Sequence, residues 1–180
     1  MRPDLNRGLN LGDSDFVVFG LPERFAIDRP DLDARWRRLQ ATAHPDRFAA
    51  EGATAQRLAM QWSVRINEAY RRLREPLTRA AYLCELRGAP IAAHSNTAMP
   101  GDFLMQQMAW REALEEADSD AALAALDNEV RAAERDLLAQ VATLLDLEPA
   151  PALAAERVRA LMFISRFRSD LTERLDALQD

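Results

Sequence analysis

His44-Pro45-Asp46 stands between two segments whose apolar residues recur at helical spacing. Before it, Leu32, Trp36, Leu39 and Ala43 follow one another at intervals of four, three and four. After it, Leu58, Trp62, Ile66, Ala69 and Leu73 do the same. That period gives each helix one apolar face. Two such helices with a short link pack as an antiparallel hairpin. Pro45 cannot continue the first helix, and it pushes His44 out of the helical region. The tripeptide is therefore expected at the tip of the hairpin, with its polar side chains in water.

Towards the N-terminus, Asp13 or Ser14 can cap a short helix that Gly20 and Pro22 end, with Phe16 and Phe19 pointing into the core. Asp28 can cap the second helix, and Pro30 suits its first turn. Arg35, Arg37 and Arg38 lie off that helix's apolar stripe, Arg37 and Arg38 most outward. Phe48 to Ala55 reads as loop, with Gly52 as breaker. The third helix is expected from about Thr54 to Leu73, and a fourth from Leu77 to Leu86, ended near Gly88. Cys84 falls on the apolar side of the fourth, as a small core residue. Residues 88–101, with Pro90 and Pro100, read as a linker, and His94 within them as solvent-exposed.

The remainder reads as three helices. Asp102 caps the first, which runs to about Ala117. The second starts near Ser119 and carries Leu123, Leu126, Val130, Ala133, Leu137, Val141 and Leu144 as a stripe, until Pro149 and Pro151 stop it. The third, Ala152 to Leu178, carries Val158, Leu161, Ile164, Phe167, Leu171, Leu175 and Leu178. Short connections make neighbours antiparallel, so a three-helix bundle is expected. No strand-like alternation of useful length occurs.

At 180 residues the chain can hold one or two small domains with real cores. A net charge of -6 counts against nucleic-acid binding, despite the arginines at 35–38 and 71–74. Met1 to Ser14 has no apolar run of a signal peptide, and no segment is apolar for long enough to cross a membrane, so the cytoplasm is the expected compartment. One cysteine forms no intramolecular disulfide and no zinc or iron–sulfur ligand cluster, and no cofactor is expected. His44 and Asp46 lack a nearby nucleophile or phosphate loop, which disfavours an enzyme.

The tripeptide in this setting resembles the J-domain, which stimulates the ATPase of DnaK-type chaperones. Ser63-Val64-Arg65-Ile66-Asn67-Glu68-Ala69-Tyr70-Arg71-Arg72-Leu73 resembles a J-domain's third helix, and Asp15-Phe16-Val17-Val18-Phe19-Gly20-Leu21-Pro22 its first. The resemblance implies that the chaperone meets His44, Pro45, Asp46 and the basic residues Arg35, Arg37, Arg38 and Arg47. Ala43 stands where many J-domains have tyrosine, and Arg47 where they often have lysine.

From about Asp15 to Leu178 the chain resembles the HscB family of iron–sulfur assembly co-chaperones. Arg74-Glu75-Pro76-Leu77-Thr78-Arg79-Ala80-Ala81-Tyr82-Leu83 is similar to that family's exit from the J-domain, and Phe103-Leu104-Met105 with Arg111-Glu112-Ala113-Leu114 to its first C-terminal helix. The resemblance implies an all-α chain: a J-domain over 13–87, a linker over 88–101 and a scaffold-binding three-helix bundle over 102–180. It implies HscA and the cluster scaffold IscU as partners. Lacking the zinc-binding cysteines common in eukaryotic members, the sequence fits the bacterial form. A general-proteostasis J-domain protein is the nearest rival, disfavoured by scarce glycine and no cysteine-rich client domain.

Beside the resemblance, the first bundle helix has two apolar faces. Phe103, Trp110 and Leu114 can face the core, while Leu104, Met105 and Met108 lie on an adjacent face. Exposed apolar patches often mark partner sites, and methionine suits adaptable surfaces. Phe163 sits a step off the stripe of its own helix. Leu104, Met105, Met108, Glu112, Glu116 and Phe163 are thus the candidate scaffold contacts. Ala109 occupies a position acidic in some relatives. The alternative is that the apolar members broaden the core or pack under the linker.

Overall fold

The computed structural model describes residues 9–92 and 98–179. Residues 1–8 and His94 lie outside the described residues, as does the side chain of Leu178. Among the described residues the regular structure is helical, without strands. The chain divides into two compact units between Arg79 and Ala80.

In the first unit, α1 (Asp15–Phe19) is capped by Ser14, whose Oγ accepts from the Val17 N–H at 3.3 Å. Gly20 ends it at φ 62°, a left-handed backbone that glycine adopts without strain. Phe16 and Phe19 are buried. The Asp15 carboxylate, also buried, holds α1 to the third helix: Arg65 Nη1 lies 2.7 Å from its Oδ1 and Arg72 Nη1 3.0 Å from its Oδ2. Removing one partner of such a buried pair strands the other charge.

α2 (Arg29–Ala43) and α3 (Ala53–Arg74) form the expected hairpin. Asp28 holds the N-cap position of α2, although its side chain makes no capping bond. Between the helices, Pro45–Glu51 is a 3₁₀ helix, so of the loop expected over Phe48–Ala55 the first four residues are 3₁₀-helical and the last three belong to α3. It packs against α3. Ala59, not Leu58, joins Trp62, Ile66, Ala69 and Leu73 in the core, and Leu58 is left half in water.

α4 (Pro76–Leu86) begins on a proline, which needs no N–H partner in the first turn. Ala80, Leu83 and Cys84 on it are fully buried.

The second unit contains α5 (Gly101–Glu116), α6 (Asp120–Ala142) and α7 (Pro151–Gln179). Pro100, rather than Asp102, holds the N-cap position of α5; Asp102 sits inside the first turn, its Oδ1 accepting from the Phe103 N–H at 3.0 Å. Ser119, near which the helix is expected to start, caps α6, its Oγ accepting from the Ala122 N–H at 3.3 Å. The α6 stripe is buried at Leu123, Leu126, Val130, Leu137 and Val141, but then steps to Leu145, leaving Leu144 half-buried. Four residues on from Val141, Leu145 lies nearer the buried face than Leu144 does at ordinary helical spacing, and a π-helical turn spans Thr143–Leu147 there. Arg87 Nη1 donates to the Leu145 carbonyl inside this turn. Val158, Leu161, Ile164, Phe167 and Leu171 of α7 complete the core.

The described ends of the 88–101 stretch are tied down. Ile91 is buried, and the buried Arg159 of α7 donates to the Ile91 carbonyl at 3.1 Å and to that of Ala98.

Candidate functional sites

The tripeptide stands at the hairpin tip in the conformation that its proline dictates. His44 terminates α2 at φ -63° and ψ 126°, the extended region that a following proline favours. Pro45 then starts the 3₁₀ helix. The side chains of His44 and Asp46 are 58% and 89% exposed, which leaves both available to a partner. They are also ordered with respect to each other. His44 Nδ1 accepts from the Asp46 N–H at 3.3 Å and lies 3.5 Å from Asp46 Oδ2. Arg47 folds back, its Nη1 donating to the Ala41 carbonyl at 3.1 Å, so its charge is held beside the tip.

The arginines of α2 divide into two kinds. Arg37 and Arg38 are exposed. Arg35 is engaged: its Nε pairs with Asp31 at 2.8 Å, and its Nη1 donates to the carbonyls of Phe19 and Gly20 at 3.0 and 2.9 Å. It fastens α2 to the end of α1, and a side chain on Gly20 would meet that guanidinium at 3.3 Å.

A row of contacts that apolar periodicity does not reveal runs along one side of the hairpin. Arg29 Nη1 donates to the Arg74 carbonyl at 3.4 Å. Tyr70 Oη donates to Asp33 Oδ1 at 2.9 Å, and Trp36 Nε1 to Asn67 Oδ1 at 3.0 Å. Gln40 Nε2 donates to the Ser63 carbonyl at 3.2 Å and to Asn67 Oδ1 at 2.8 Å, while Ser63 Oγ donates to Gln40 Oε1 at 3.0 Å. Trp36 also stacks on Tyr70, with ring centroids 4.8 Å apart. In the pairs 29–74, 33–70, 36–67 and 40–63 the residue numbers add to one constant, the signature of a single antiparallel register. Arg29 Nε, 2.8 Å from Asp33 Oδ1, and then the Tyr70 hydroxyl hold the Asp33 carboxyl below its usual range. The signal lay in the sequence as polar residues at helical spacing, Arg29, Asp33 and Gln40, alongside Trp36 of the apolar stripe.

On α5, Phe103 and Trp110 are buried, whereas Leu104, Met105 and Met108 are 49%, 76% and 73% exposed. These three do not broaden the core, nor are they covered by the described part of the 88–101 stretch. Glu112 and Glu116 continue the same side of the helix and are exposed. Trp110 is fixed from both sides: its Nε1 donates to Glu129 Oε1 at 2.8 Å, and its ring stacks on Phe167. Phe163 is half-buried, edge-on to Phe103, stacked on Phe167 and covered by the Arg111 guanidinium 5.5 Å above its ring. Sequence spacing had not revealed the Arg111 contact.

Among the described residues no cluster of three or more His, Cys, Asp or Glu could hold a metal ion, and no helix is long and apolar enough to cross a membrane.

A helical hairpin with an exposed His-Pro-Asp tip, joined in one chain to a helical bundle, defines a J-domain protein with a dedicated C-terminal unit. A family model described as the HSCB C-terminal oligomerisation domain matches residues 99–172. The co-chaperone protein HscB homolog of Burkholderia multivorans is 49% identical, with 95% of this chain and 99% of that protein covered. That of Cupriavidus taiwanensis is 48% identical, with 96% and 99% covered. Among solved structures, chaperone HscB from Vibrio cholerae matches with a TM-score of 0.78 and 37% identity over 92% of this chain and 99% of that one. Human co-chaperone protein HscB matches with a TM-score of 0.85 and 25% identity over 92% and 84%. The chain belongs to the HscB family of co-chaperones.

Proposed function

We propose that this co-chaperone stimulates the ATPase of a DnaK-type chaperone of the HscA kind, has no ATPase of its own, and delivers to that chaperone the iron–sulfur scaffold IscU. The setting is the cytoplasm, and the outcome is maturation of iron–sulfur proteins. The observation that carries the first half is the tip itself. His44 and Asp46 are exposed yet conformationally set, so little ordering is lost on docking. The Asp46 carboxylate is free to accept a charge-assisted bond from a partner arginine. Arg37, Arg38 and Arg47 would meet an acidic surface, with Arg35 bracing the helix that presents them.

Delivery rests on the α5 face. Leu104, Met105 and Met108 offer apolar anchors, Phe163 extends them, and Glu112 and Glu116 form an acidic rim. In this reading the working boundaries are a J-domain over 13–87, a connection over 88–101 and a scaffold-binding bundle over 102–180.

The test is steady-state ATPase of the cognate chaperone with wild-type protein or His44→Gln. Wild type is expected to accelerate hydrolysis, and the variant to lose that effect with its helical circular dichroism unchanged. Normal stimulation by a folded His44→Gln variant overturns the reading.

A further inference from the structure

The hairpin carries two seams of different character. One is apolar and, near the tip, is built from small residues: Ala43 and Ala59 are both buried. Apolar contact is non-directional. The other seam is the row of cross-helix hydrogen bonds, which are directional. Its level nearest the tip is Gln40, one helical turn before His44. Both amide atoms of Gln40 are used: Oε1 accepts from Ser63 Oγ, and Nε2 donates to the Ser63 carbonyl and to Asn67 Oδ1. Asn67 Oδ1 is shared with Trp36 Nε1, so the two levels are one network. Among the described residues, these are the last side-chain hydrogen bonds joining α2 to α3 before the tripeptide. The groups are half-buried, where such bonds are stronger than in water. The best-attested use of buried polar pairs between helices is to fix register.

We infer that Gln40, through Ser63 and Asn67, is a positioning residue for the chaperone-activating tip. It sets where the last turn of α2 lies along α3 and therefore where His44 and Asp46 stand. This rests on the proposed ATPase-stimulating role of the tip. Activation depends steeply on placement, as it does wherever a reacting group must be oriented. Affinity depends mainly on the outward arginines, which the network does not touch.

The experiment uses the full chain with Gln40→Met, which keeps the volume and deletes the bonds, and Ser63→Ala, a smaller change should the first not fold. Chaperone ATPase is titrated to saturation with each, and the backbone amide resonances of His44, Asp46 and Arg47 are followed by NMR. The expected result is a several-fold drop in maximal stimulation with the half-saturating concentration unchanged, together with displaced tip resonances. A role confined to stability would lower the melting temperature and move neither readout in the folded protein. Full maximal stimulation by a folded variant, or tip resonances that stay in place, overturns the inference. Wild-type protein that fails to stimulate the chaperone refutes the proposed function instead, and the tip resonances then decide the positioning claim on their own.

Discussion

The Phe163 ring meets the Phe103 ring edge-on, with centroids 5.8 Å apart and planes at 83°. Phe103 is buried, and its chain neighbour Leu104 is half in water. The aromatic packing that holds α7 to α5 thus runs up to the edge of the exposed apolar face.

Two kinds of residue in the proposed scaffold site should consequently behave differently. Leu104→Ala and Met105→Ala remove exposed side chains, and the thermal midpoint is expected to stay nearly constant. Scaffold binding is expected to weaken by more than about 1 kcal/mol for each anchor. Phe163→Ala also removes ring packing, so the midpoint should fall by the equivalent of roughly 1–3 kcal/mol, below the ~3–5 kcal/mol of a fully buried phenylalanine. Calorimetry and scaffold titration on the same samples separate the two. A stable Leu104→Ala/Met105→Ala protein that binds scaffold at full strength rules the site out.

The arginines of α2 divide in the same manner. Reversing Arg37 and Arg38 to glutamate should weaken chaperone binding, chiefly through the association rate, and flatten its salt dependence. The fold should be unaffected. Arg35→Ala unties two backbone carbonyls and an aspartate, and is expected to destabilise the first unit by on the order of 1–3 kcal/mol. Stopped-flow association at two salt concentrations, with melting curves alongside, checks both. Unaltered association at low salt would return Arg37 and Arg38 to an ordinary solvated face.

Asp33 gives a pH dependence with a definite sign. Arg29 and Tyr70 hold its folded pKa below the unfolded value. Its stabilising contribution is therefore present above the unfolded carboxylate pKa and is lost as pH falls through the folded one. Asp33→Asn should be less stable than wild type near neutrality, and the gap should close on acidification. Melting temperatures of both proteins across the carboxylate range decide it, and a gap that is constant with pH contradicts the assignment.

Cys84 should be inert while the protein is folded. Burial pushes its thiol up to about 11, outweighing the opposing pull of Arg87 and Arg159. Only the thiolate is an effective nucleophile. Alkylation by iodoacetamide at mildly alkaline pH is expected to be slow in the native protein and prompt in denaturant. Equal rates in the two states would mean that the thiol is not enclosed.

Much of this protein is legible along the chain. His44 is extended because Pro45 follows it, a local steric rule that needs no tertiary information. Ser14 caps α1 and Gly20 ends it for equally local reasons. The cores of α6 and α7 obey helical periodicity over many turns, so a single misplaced residue does not hide the pattern. The adjacent face of α5 is readable for the same reason: Leu104, Met105 and Met108 lie about a quarter turn or more from Phe103 and Trp110.

The departures occur where a neighbour in space chooses between residues that are equivalent in sequence. Leu58 and Ala59 both suit the α3 stripe, and packing buries the smaller one. Leu144 and Leu145 both continue the α6 stripe, and packing buries the later. Arg35, Arg37 and Arg38 have one composition, yet only Arg35 reaches the carbonyl end of α1. Trp36 counted as apolar, and its indole N–H finds Asn67 only once the hairpin has closed. Periodicity follows from bonds within a helix, which the chain carries with it. Register, the choice of side chain at a contact and the partner of each polar group depend on residues distant in sequence, and are decided only when the helices pack.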